Sequence, residues 1–105
     1  MNSLEINKEE VIEFLTAVGD PTRLEIMFLL GNHEKLTVNE ITSNFQLSRP
    51  AISHHLKVLK EAKIADSEKV GQEIYYWIDW NYVLRGLNGL VITIERCPIA
   101  LQQQQ

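Results

Sequence analysis

Apolar residues follow a helical period through the first 60 positions, switch to strict alternation near residue 75, and return to the helical period afterwards. Val11, Ile12, Leu15 and Val18 recur at spacings of one, three and three with acidic residues on the other side, which predicts a helix over residues 8–18, ending near Gly19. Asp20 followed by Pro21 pairs an N-cap residue with proline at the first helical position. The run TRLEIMFLL then reads as a second helix reaching Gly31, apolar enough to be central. After the turn-like GNHEK, Thr37 and Glu40 stand three apart ahead of Ile41, a capping box that opens a short third helix over about 38–45. Only Gln46 and Leu47 separate it from Ser48, a further N-cap, and a fourth helix runs to about Lys63. Two short helices on so tight a connection form a helix-turn-helix.

From Ala65 the pattern is that of strands. ADSEKV precedes Gly71 and Gln72, and in EIYYWI the residues Ile74, Tyr76 and Ile78 alternate with Glu73, Tyr75 and Trp77, so the pair reads as a β-hairpin. Asp79 can cap a last helix from Trp80 to about Arg96, whose apolar face holds Val83, Leu84, Leu87, Leu90, Val91 and Ile94 before Pro98 stops it. Gly86 and Gly89 each cost this helix about 1 kcal/mol relative to alanine. Either another helix approaches closely across the bare backbone, or the helix is weak or kinked there. The expected organisation is a tail over residues 1–7, one domain over 8–97, and a disordered low-complexity tail over 98–105. The fold class is mostly α with a small β-hairpin.

Composition narrows the function classes. A chain of 105 residues with 45% hydrophobic content makes one domain with a modest core, and leftover amphipathic faces at its ends suit a partner subunit. One cysteine, Cys97, excludes an intramolecular disulfide framework and a cysteine-rich zinc site within one chain. No leader-like or membrane-spanning run is present, which predicts a soluble, cytoplasmic protein with no membrane partner. The net charge of −4 argues against bulk electrostatic binding of nucleic acid, yet the acidity is local. Residues 1–20 carry Glu5, Glu9, Glu10, Glu13 and Asp20 against Lys8, leaving the rest of the chain neutral with nine charges of each sign. Within residues 48–63, Arg49, Lys57, Lys60 and Lys63 oppose only Glu61, so a basic helix survives inside an acidic chain.

Three segments, GDPTRLEIMFLL at 19–30, SRPAISHHLKVLKEAKI at 48–64 and GQEIYYWI at 71–78, occur in an order and spacing that resemble the winged-helix repressors of the arsenic-repressor (ArsR) family, over nearly the whole chain. The resemblance implies a winged helix-turn-helix that acts as a homodimeric DNA-binding transcriptional repressor. It further implies that helices 8–18 and 80–96 form the dimer interface, with Val11, Leu15, Val83, Leu87, Leu90, Val91 and Ile94 as its apolar residues, and that the fourth helix enters the major groove. Both terminal helices carry the surplus apolar faces that such a dimer would bury.

Helical geometry divides the adjacent histidines. Ile52, Leu56 and Leu59 define a buried stripe on the fourth helix, and His55 shares its edge, so a hydrogen-bonded, partly buried side chain is expected there. Pro50, Ser53, His54 and Lys57 lie on the opposite face. Ser53 and His54 suit base edges, and Arg49 suits guanine or a phosphate. Lys57 and Lys60 suit phosphates, and the helix start at Ser48 adds backbone N–H groups. The hairpin offers Lys69 and Gln72 for the backbone or minor groove, although Glu68 and Glu73 flank them. Tyr75 and Trp77 are read as packing residues.

The family's usual metal ligands, cysteines on the third helix or Asp/His and His/Glu sets on the last, have no counterpart in LTVNEITSNF or in a last helix that lacks histidine. His54 and His55 point about 100° apart and cannot chelate one ion. No metal or other cofactor is therefore expected. His33 with Glu34 lies in a loop, and Cys97 beside Arg96 is the one thiol open to redox control. No nucleophile elbow, phosphate loop or HExxH motif supports enzyme chemistry. The leading expectation is a repressor on an inverted-repeat operator with an unknown inducer, if there is one. Alternatives are a repressor responsive to Cys97 oxidation or an atypical metal, and a winged-helix module that docks a protein.

Overall fold

Local capping chemistry sets most element boundaries in the structure, a computed structural model that describes residues 7–104. Helix α1 (Lys8–Val18) opens on a capping box in which the Asn7 side chain accepts from the Glu10 N–H and the Glu10 carboxylate accepts from the Asn7 N–H. Asp20 caps α2 (Pro21–Leu30) by accepting from the Arg23 N–H at 3.0 Å. The expected Thr37–Glu40 box opens α3 (Val38–Thr42), preceded by a two-residue strand β1 (Leu36–Thr37). Ser48 caps α4 (Arg49–Glu61), strands β2 (Ala65–Val70) and β3 (Glu73–Ile78) follow, and Asp79 caps α5 (Trp80–Glu95). A short helix α6 (Pro98–Gln103) ends the described chain.

The turn between α4 and β2 aims the hairpin. Lys63 takes a left-handed conformation at φ 67°, while Ile64 N–H bonds to Leu59 C=O and Lys63 N–H to Lys60 C=O. This is a Schellman ending, closed by the apolar contact expected between its outer residues, here the buried Leu59 and Ile64. Between β2 and β3 the turn has Gly71 at φ 61°, the glycine-first pattern of a type II′ hairpin. The sheet order is β1-β3-β2, all antiparallel, with Ala65 opposite Ile78 and Leu36 opposite Tyr76.

One core joins these layers. Phe14, Ile26, Leu30, Ile41, Ile52, Leu56, Leu59 and Ile64 are all less than 2% exposed, so every helix from α1 to α4 contributes to the same cluster. Truncating any of these leucines or isoleucines to alanine would cost about 2–5 kcal/mol. Ile78, Tyr82 and Val83 close it from the sheet and α5.

Four features differ from the sequence reading. Helix α3 stops at Thr42 instead of near Phe45, because Thr42, Ser43 and Asn44 turn their side chains back onto the carbonyls of Val38 and Glu40 and compete with the helical ladder. Strand β1 turns the hairpin into a three-stranded sheet; two residues carry too little pattern to be read alone. Residues 98–103, expected to be disordered, form α6, because Pro98 occupies its first turn and good helix formers follow. Val83, assigned to the dimer face, is 5% exposed within its own chain's core, since α5 rolls that side of the stripe onto α1 and α2. Apart from Asn7, the expected tail over residues 1–7 lies outside the described residues.

The choice left open at Gly86 is decided by α1 of the same chain. A Cβ there would sit 2.9–3.0 Å from three ring carbons of Phe14, itself 1% exposed and unable to move aside. Gly86→Ala is therefore expected to destabilise the fold by about 1–3 kcal/mol, although alanine is the better helix former. Urea unfolding of the variant measures this directly.

Candidate nucleic-acid interface

Helix α4 buries one side and leaves the rest outward. Ile52, Leu56 and Leu59 are fully buried, whereas Ser48, Arg49, Pro50, His54 and Lys57 are exposed and Ser53 is half-buried. The structure thus brings together, on one outward surface, most of the expected reading set. Ser48 is engaged as the cap, its Oγ accepting from the Ala51 N–H at 3.3 Å. Arg49 is already oriented: its Nε donates to Asn39 Oδ1 at 2.8 Å, joining the second helix of the motif to the first. A guanidinium held through Nε keeps its two terminal nitrogens for a base edge or phosphate.

Lys60 lies elsewhere. Its ammonium donates to Ser67 Oγ at 2.7 Å, bridging α4 to β2, and it lines a cleft with Glu10, Lys63, Asp79 and Arg85. A phosphate contact there would have to displace the Ser67 bond. Lys69 and Gln72 are exposed, Lys69 on β2 opposite Ile74 and Gln72 in the turn, away from the α4 surface along the hairpin. Tyr75 is half-buried with the Lys35 ammonium 5.2 Å from its ring centre, and Lys35 also pairs with Glu68 at 3.3 Å. That neutralises one of the acidic groups on the hairpin.

His55 is the partly buried residue expected of it, and its partners come from the GDPTR segment. Its side chain is 18% exposed, with Nδ1 3.2 Å from Arg23 Nη1 and 3.8 Å from Asp20 Oδ2. Arg23 was not picked out from sequence, although its position three after an N-cap aspartate was a usable signal. The backbone N–H of Arg23 holds the Asp20 carboxyl below its usual range, and the guanidinium charge of Arg23 adds to the effect. Glu40 is lowered as well, by the Thr37 backbone N–H and hydroxyl of its capping box.

Cys97 is exposed, with Sγ 3.5 Å from Thr93 C=O. Among the described residues no three His, Cys, Asp or Glu side chains are grouped so as to hold a metal ion, and His33 lies exposed in its loop. No helix among them is long and apolar enough to cross a membrane.

A helix-turn-helix followed by a hairpin, with a polar and basic second helix, defines a winged-helix transcriptional regulator. Residues 20–67 match the model of the bacterial regulatory protein arsR family. The chain is 35% identical over 80 residues to the transcriptional repressor SdpR of Bacillus subtilis, covering 76% of this chain and 88% of that one. Among solved structures it is similar to a possible transcriptional regulator for arsenical resistance, with TM-score 0.69, 33% identity and coverage of 79% and 84% of the two chains. It is also similar to the repressor PagR of Bacillus anthracis, with TM-score 0.64, 31% identity and coverage of 79% and 93%. The chain belongs to the arsR family and is a DNA-binding transcriptional regulator.

Asp20 gives a pH-dependent test of this region. Asp20→Ala is expected to cost about 1 kcal/mol at pH 7 as a lost N-cap. Because the folded carboxyl is held below its unfolded value, its contribution is present above about pH 4 and disappears as pH falls through the depressed folded value. Urea unfolding of wild type and variant should therefore differ at neutral pH and converge as the pH drops below about 4.

Proposed function

We propose that the protein is a homodimeric repressor that occupies an inverted-repeat operator, with α4 of each subunit in a major groove. The observation that carries this is the outward surface of α4, where Ser53, His54 and Lys57 turn away from the buried Ile52, Leu56 and Leu59 and the exposed Arg49 stands at their edge. Ser53 and His54 exchange hydrogen bonds with base edges, Arg49 addresses guanine or a phosphate, and Lys57 a phosphate. Ser48 and Pro50 bring the start of the helix against the backbone. Lys60, once released from Ser67, and Lys69 and Gln72 out along the hairpin add backbone contacts beyond this surface. The similarity to a protein named as a repressor supports repression as the mode of action. The sequence carries neither of the ligand sets usual in the family, and the proposed repressor is assigned no metal response.

The dimer reading rests on α5. Trp80, Leu84, Leu87, Val91 and Ile94 are 41–56% exposed and follow one another at spacings of four, three, four and three, the seam of a paired helix. Ile12 and Leu15 on α1 are exposed as well, and Val11 and Leu90 are half-buried beside them. Leu84 takes the place that sequence reading had given to Val83.

DNA binding is tested on duplexes selected by the wild-type protein from a random pool. Arg49→Ala and His54→Ala are each expected to cost about 1–3 kcal/mol and to relax preference at particular base pairs. Lys57→Ala should weaken all sequences alike and lower the salt slope by about one. Unchanged binding in both Arg49→Ala and His54→Ala would remove α4 as the reading helix. For assembly, sedimentation of a Leu87→Glu, Val91→Glu double variant should give a folded monomer where wild type gives a dimer, with operator affinity reduced accordingly.

A further inference from the structure

The α4 reading surface is only as definite as the rotation of α4 about its own axis. The apolar contacts of Ile52, Leu56 and Leu59 are non-directional and set depth better than rotation. Directional bonds are needed on both flanks of the buried stripe. At 100° per residue, Arg49 and Lys60 lie about 60° to one side of the stripe and His55 about 60° to the other. Arg49 is held by Asn39 and Lys60 by Ser67. The opposite flank is held by Arg23.

We propose that Arg23 is a positioning residue for DNA recognition: by bonding at once to the C-terminal end of α1 and to His55, it fixes the rotation of α4 and hence where Ser53 and His54 meet the bases. The proposal rests on the reading of α4 as the recognition helix. Arg23 Nε donates to Ala17 C=O at 2.6 Å and Nη2 to Thr16 C=O at 3.3 Å, satisfying carbonyls that the end of α1 leaves open. The remaining arm, Nη1, reaches His55 Nδ1 at 3.2 Å. An arginine can only donate, so His55 Nδ1 accepts, and the ring proton of the neutral imidazole resides on Nε2. Asp20 Oδ2, 3.8 Å from the same Nδ1, is too distant for a hydrogen bond and acts on the pair through its charge.

The fork geometry explains why arginine serves here: three acceptors on two helices are addressed by one planar group. Lysine keeps the charge but cannot reach all three in fixed directions. The arrangement also makes α4 rotation sensitive to the position of α1, one of the two helices assigned to the dimer.

The test compares affinity for a selected duplex with affinity for an unrelated duplex of equal length, by fluorescence anisotropy, alongside urea unfolding. Arg23→Lys and His55→Leu are each expected to weaken binding to the selected duplex about tenfold while changing the unrelated duplex less than about twofold, since phosphate contacts tolerate rotation. His55→Asn, whose Oδ1 supplies an acceptor near the Nδ1 position, should recover most of the discrimination. The Arg23→Lys, His55→Leu double variant should be no worse than either single one. A purely structural role would lower stability and weaken both duplexes in parallel, and that result overturns the proposal. If His54→Ala lowers discrimination but Arg23→Lys and His55→Leu do not, the positioning role alone fails. If His54→Ala also leaves discrimination unchanged, the recognition-helix reading falls and this proposal with it.

Discussion

Burial of Ile52, Leu56 and Leu59 is the constraint from which the rest of the molecule follows. These three side chains lie on one line of α4 and are withdrawn completely from water into a cluster shared with α1, α2 and α3. Once they are inside, helical geometry turns His54 and Lys57 to solvent and leaves Ser53 half-buried beside them. The proposed reading surface is the complement of the core. A helix with this division can be basic in a chain that is acidic overall, because the net negative charge arises in the first 20 residues and the remainder is balanced.

Around that apolar contact the chain adds bonds with direction. Arg49–Asn39 joins the two helices of the motif, Lys60–Ser67 joins α4 to the wing, and Arg23–His55 joins it to the α1–α2 corner. Asp20 serves twice in that corner, as the N-cap of α2 and as the charge beside the Arg23–His55 pair. At the far end of α4 the Schellman turn at Lys63 places Ile64 in the core and sends β2 off as the first strand of the wing. The hydrophobic effect supplies most of the free energy, while these polar ties choose among the orientations that it permits.

Helix α5 follows a different logic. Its Gly86 side receives Phe14 and completes the core, whereas Leu84, Leu87, Val91 and Ile94 remain in solvent. Such a length of exposed apolar surface is unusual for a lone subunit and supports the proposed dimer. In the proposed dimer the same helix would both close the core of its own chain and carry the seam.

Much of this was legible in the residues themselves, because it depends on local rules. The Asp20-Pro21 start, the Thr37–Glu40 box, the alternation of Ile74, Tyr76 and Ile78, and the split between His54 and His55 each require only neighbours a few positions away. Tertiary structure decided what depends on distant partners. It gave Val83 to the core and left Leu84 outside, because the roll of α5 is set by the fit of Phe14 against Gly86. It turned Lys60 onto Ser67, ended α3 early, and paired two residues of β1 with β3 across a gap that no periodicity spans. It also placed Arg23 against His55, 32 positions along the chain, which only folding could bring within 3.2 Å. Period and capping are properties of contiguous residues, whereas the rotation of one helix against another is settled by side chains that meet only when the core closes.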